Sequence, residues 1–144
     1  LARIVLSQGD FAGARTAVEL YTQHLPDNPQ AMIMMAGIEI ARGDRGTMTA
    51  LLDKALKTEP KLEGAINSLG YAILGAGRFD EAIAIFEYNV GRFPKSANCL
   101  DSLAEGWLKK GDREKAVVFY RKALEIDPRF SSAIEALKRL EVKK

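Results

Sequence analysis

The sequence predicts an all-α fold, an α-solenoid of antiparallel helix hairpins with a 34-residue period, and three observations predict it. Glycines (Gly9, Gly43, Gly77, Gly111) and prolines (Pro26, Pro60, Pro94, Pro128) each recur at that single interval. Between each Gly and its Pro, and again between each Pro and the next Gly, apolar residues fall at the three-and-four spacing of an amphipathic helix. Residue size also repeats: Ala2, Ala36, Gly70 and Ala104 form a small column, Val18, Leu52, Phe86 and Tyr120 a large one. Small positions let helices approach and large ones fill the space opposite, so neighbouring hairpins must stack to bury faces that none can bury alone.

In order along the chain, residues 1–28 read as a partial unit whose first helix, "LARIVLSQ", is cut short. Full units are expected at 29–62, 63–96 and 97–130, and a capping helix at 131–144. The unit at 29–62 departs from the pattern: Met48 stands where Ala82 and Ala116 stand later, Glu39 takes the place of Trp107, and Gly46 sits near the start of the second helix. That hairpin is expected to pack less regularly. The other two repeat cleanly, with Ile66, Leu69, Gly70 and Ile73 followed by Ala82, Ile83 and Phe86, then Leu100, Leu103, Ala104 and Trp107 followed by Ala116, Phe119 and Tyr120. In the tail, Lys138 falls at the small-residue phase, which reads as a polar cap on the stack.

The punctuation has physical causes. Glycine takes the left-handed conformation that ends a helix and reverses the chain. The Asp after Gly9, Gly43 and Gly111 suits the next helix start, where its carboxylate meets free backbone amides. Proline cannot continue a helix interior and marks the stop before the following unit.

Composition narrows the function. The 144 residues carry 21 Lys and Arg against 19 Asp and Glu, a net charge of +2 with no clustered basic footprint, so nucleic acid is not the expected partner. The longest apolar stretch, residues 31–41, is too short to span a bilayer and contains Glu39, so no membrane insertion is expected. One cysteine, Cys99, excludes an intrachain disulfide, and one histidine, His24, leaves no metal motif. No phosphate-binding glycine loop or nucleophile elbow is present, so neither cofactor nor catalytic residue is expected. His24 suits a helix C-terminus, Cys99 a small buried thiol, and Trp107 and Tyr120 fall in core columns. Met32, Met34 and Met35 fit core filling or an adaptable surface.

The segments "INSLGYAILGAGRFDEAIAIFEYNVGRFP" (66–94) and "LDSLAEGWLKKGDREKAVVFYRKALEIDP" (100–128) resemble the tetratricopeptide repeat family in their spacing of Leu, Gly or Ala, aromatic or branched residue, Ala, aromatic and Pro. The resemblance implies a right-handed superhelix whose first helices line a concave groove, and a protein or peptide partner in that groove. Helical geometry then selects outward positions: Ile33 and Met34 in the first full unit, Asn67 and Tyr71 in the second, Asn98, Asp101, Glu105 and Lys109 in the third, with Glu135 and Arg139 from the cap. Asn67 and Asn98 could bond a peptide backbone, and Asp101 and Glu105 would face a Lys or Arg; the same residues also suit a plain solvated face. Glu105 and Lys109 are spaced for a helix ion pair. Family members that clamp a partner's terminal carboxylate use basic residues and asparagines; the matching positions here, Ile33, Gly37, Ser68, Asn98 and Ser102, do not reproduce that set.

The reading is a non-catalytic protein-interaction scaffold. Its alternative is an accessory repeat region of a larger bacterial enzyme such as a serine hydrolase, on a loose likeness of residues 86–128; RNA recognition comes last. Self-association through the apolar N-terminal end is a further expectation.

Overall fold

The structure, a computed structural model, describes residues 11–142. Among them eight α-helices follow one another, α1 (Phe11–His24), α2 (Pro29–Ala41), α3 (Arg45–Thr58), α4 (Glu63–Gly75), α5 (Phe79–Arg92), α6 (Ala97–Lys110), α7 (Arg113–Ile126) and α8 (Ser131–Val142), with no strand. Three hairpins result: α2 with α3, α4 with α5, and α6 with α7. Within each, the turn is made by the glycine that the sequence marks: Gly43, Gly77 and Gly111 have φ of 88°, 77° and 102°, left-handed conformations that a side chain rarely adopts. Asp44 then caps α3 by accepting from the Thr47 amide at 2.9 Å, and Asp112 caps α7 by accepting from the Lys115 amide at 3.0 Å. At the junctions between hairpins Asn28 and Ser96 do the same for α2 and α6.

The size columns become packing. Ala36, Ala82, Ala104, Ala116, Leu52 and Phe86 are fully buried, and Tyr120 is nearly so. A Cβ on Gly70 would lie 2.3 Å from the Phe86 ring, so only glycine lets α4 and α5 close on each other there. Trp107 is half-buried between the two main core clusters, with the Lys115 ammonium 4.0 Å from its ring centroid.

Hairpin α2–α3 corrects the expectation of irregular packing. Met48, Leu52 and Ala55 are all fully buried, and Met48 fills with a flexible chain the place that alanine holds elsewhere. Glu39 is buried too, and is neutralised by Arg42 at 3.4 Å on its own helix and Arg15 at 3.6 Å on α1. Met34 and Met35 join Ala14, Val18 and Ile38 in the small core that docks α1. Leu1, Ala2 and Gly9, and with them the proposed N-terminal self-association, lie outside the described residues.

First helices form one layer and second helices the other. The backbones of α2 and α4, and of α4 and α6, come into contact. The second helices α3 and α5 are tied by long side chains, Arg45 to Glu87 at 3.0 Å and Tyr88 to Asp53 at 2.7 Å. A stack whose inner helices sit closer than its outer ones curves toward the inner layer, and the inner face is the one that α2, α4, α6 and α8 line.

Candidate partner-binding groove

The first helices reach the groove in register because each starts one interval after the last. The side chains they bring there do not all face solvent. Ile33, Asn67 and Asp101, expected to project into the groove, are 5%, 9% and 5% exposed. This corrects the reading: their column points into the seams between successive first helices, where the next helix covers it. Asp101 accepts a hydrogen bond from Ser132 Oγ of α8 at 2.9 Å, across the α6–α8 seam. The Asn67 Oδ1 and Asp101 Oδ1 atoms are buried without a partner. Burial pushes the Asp101 carboxyl above the usual carboxylate range, with the Ser132 bond opposing and the charge of Glu105 adding to the rise. A peptide lysine or arginine cannot reach Asp101 without opening the seam.

Tyr71 is half-buried and spans the seam between α4 and α6. Its hydroxyl donates to Glu105 Oε2 at 2.7 Å and contacts Ser102 Oγ at 3.2 Å, while its ring lies edge-on to Phe86 with centroids 5.2 Å apart. Burial raises the phenol well above its ordinary pKa, and Glu105 adds to the rise. Glu105 is therefore taken, and the Glu105–Lys109 helix pair expected from spacing does not form; Lys109 has no ion-pair partner among the described residues. Met34 is half-buried against α1. Of the eight expected groove residues, Asn98 and Lys109 are the two that stand exposed, Tyr71, Glu105 and Met34 are partly so, and Ile33, Asn67 and Asp101 are sealed.

Where the face does open is between α6 and α8. A cleft of about 410 Å³ lies there, walled by Glu105 and Lys109 on one side and Ser132, Glu135 and Arg139 on the other, and floored by Leu108, Tyr120, Ala136 and Leu140. An apolar floor under a mixed-charge lip is the general make-up of a ligand pocket, and the volume falls in the usual range of roughly 300–1,000 Å³. Glu135 and Arg139 pair with each other at 3.6 Å and remain exposed. Sequence reasoning assigned Tyr120 to the core and missed Ser132, Leu108 and Leu140; the signal that finds Ser132 is its position one interval after Asn98. Among the described residues no group of three or more His, Cys, Asp and Glu could hold a metal ion. Cys99 is 1% exposed, its thiol pushed up to about 12 by burial, and His24 ends α1. No helix among the described residues is long and apolar enough to cross a membrane.

Comparison with known proteins agrees with this architecture. A family model described as tetratricopeptide repeat matches residues 108–130. Anaphase-promoting complex subunit 7 of Dictyostelium discoideum is 27% identical over 144 residues, 99% of this chain, and the chain spans 24% of that protein's length. The solved structure of MamA 41-end from Desulfovibrio magneticus RS-1 aligns with a TM-score of 0.57 at 21% identity, covering 99% of this chain and 80% of that one. YrrB, described as a TPR protein with an unusual peptide-binding site, aligns with a TM-score of 0.56 at 20% identity over 95% of this chain and 71% of its own. Both structural likenesses speak to the fold.

Proposed function

We propose that the chain is an array of tetratricopeptide repeats and a non-catalytic scaffold that holds a segment of a protein partner on the face lined by α2, α4, α6 and α8. One observation carries the proposal: the open α6–α8 cleft, where an apolar floor and both signs of charge meet on that face. YrrB, which shares the fold, is described as having a peptide-binding site, and this supports the same class of ligand here. The near balance of charge favours a protein over a nucleic acid. The role suits a repeat region carried by a longer protein equally well, since the Dictyostelium relative is matched over 24% of its length.

The test places a photo-reactive residue at Asn98 or Glu135 on the inner face, or at Lys57 or Lys122 on outer helices, all exposed positions. Irradiation in extracts of the source organism is expected to capture one partner from both inner positions and not from the outer ones. Capture from Lys57 or Lys122 alone would overturn the proposal.

A further inference from the structure

We propose that the α6–α8 cleft receives a phenylalanine-like side chain of the partner segment, with an adjacent carboxylate meeting Lys109; this rests on the groove reading above and names its ligand. The repeat supplies the precedent within this molecule. One interval upstream, the Tyr71 ring of α4 packs on Phe86 and reaches Ser102 and Glu105 of α6. A shift of 34 residues puts Tyr120 in the place of Phe86, Ala136 in that of Ser102 and Arg139 in that of Glu105. In the place of the Tyr71 ring it puts Glu105, a shorter side chain that turns back to Tyr71. The ring that would fill the seam is thus not supplied by the chain, and the cleft of about 410 Å³ over Tyr120 lies where it would sit.

The lining sets what the incoming ring should carry. The two groups that face the Tyr71 hydroxyl, Ser102 and Glu105, are replaced by Ala136 and Arg139, so the matched positions offer no acceptor, while the cleft's own carboxylates, Glu105 and Glu135, are engaged by Tyr71 and Arg139. A bare ring suits this end, since a guanidinium lies favourably against an aromatic face. At the lip, Lys109 is exposed and lacks an ion-pair partner because Glu105 is held by Tyr71, whereas Arg139 is matched by Glu135. The unmatched cation is the one that selects a carboxylate.

The experiment titrates N-acetyl-Phe-Asp-amide, N-acetyl-Phe-Lys-amide and N-acetyl-Ala-Asp-amide into the intact isotope-labelled chain and follows backbone amide shifts. The Phe-Asp probe is expected to shift α6 and α8 amides. It should bind about tenfold more tightly than Ala-Asp, from the buried ring, and about threefold more tightly than Phe-Lys, from the exposed charge. Glu105→Tyr supplies a ring from within and should abolish these shifts, with circular dichroism still helical. Lys109→Glu, an exposed change that leaves the core intact, should reverse the preference between the Asp and Lys probes. Unchanged probe binding in Glu105→Tyr, or no change of preference in Lys109→Glu, overturns the proposal. Shifts confined to α2 and α4 overturn this cleft assignment and leave the groove reading standing; shifts confined to α3, α5 and α7 overturn both.

Discussion

Two seams run between the last three inner helices, and the side chain that differs most in size between them is the one that fills the first. At α4–α6 the chain provides Tyr71, which packs on Phe86 and bonds Glu105. At α6–α8 the corresponding residue is Glu105 itself, and the space over Tyr120 stays open. The register repeats, so positions can be matched across the two seams: Tyr71 gives way to Glu105, Phe86 to Tyr120, Ser102 to Ala136 and Glu105 to Arg139. The difference teaches that substitutions in the columns of the inner face can close one seam of a repeat array and leave its neighbour open.

That contrast can be broken most forcefully at its floor. Phe86 is fully buried and enclosed by Tyr71 as well as by the core, so Phe86→Ala is expected to cost about 3–5 kcal/mol in urea unfolding. Tyr120→Ala should cost less, because Tyr120 borders the cleft and no ring covers it as Tyr71 covers Phe86; equal costs would mean that the two seams are packed alike. Next in size is Tyr71→Phe, which removes the bond to a charged acceptor and is expected to cost about 1.5–3 kcal/mol by the same measurement.

A smaller effect, one with a pH signature, comes from Asp101. Its carboxyl is held above the ordinary range chiefly by burial, so the folded state binds the proton more tightly than the unfolded chain does. Its contribution to stability is complete below the unfolded value and is lost as pH rises through the raised folded one. Asp101→Asn should therefore raise the urea midpoint at neutral pH, and the gain should shrink as the pH falls into the carboxylate range. A gain independent of pH would assign the effect to something other than this proton. Smallest of all, Arg139→Ala breaks only an exposed pair with Glu135, and its thermal unfolding should change by less than about 0.5 kcal/mol. A loss comparable to that of Tyr71→Phe would show the α6–α8 seam to be closed after all.

The fold was readable because period, punctuation and size column all follow from backbone geometry. Gly43, Gly77 and Gly111 had to reverse the chain, and they take the left-handed turn. Met48 is bulkier than the alanine of the later repeats, but its flexible chain adapts to the space and it packs fully buried. The groove was only partly readable. Helical phase places Ile33, Asn67 and Asp101 on the inner side of their helices, but phase on one helix says nothing of how closely the next one lies. The contact of the inner helices covers that column, as the Ser132 bond to Asp101 shows. Likewise the spacing of Glu105 and Lys109 predicts a local pair, and a stronger bond from Tyr71, 34 residues away, prevents it. Local patterns were legible; competition between local and inter-repeat partners was not.

The most direct measurement is hydrogen–deuterium exchange of the intact chain with and without the partner captured from the inner face. The open-seam account predicts new protection concentrated in α6 and α8, at Leu108, Lys109, Ala136 and Arg139, with the outer helices α3, α5 and α7 unchanged. Protection appearing on the outer helices, with α6 and α8 exchanging as before, would contradict it.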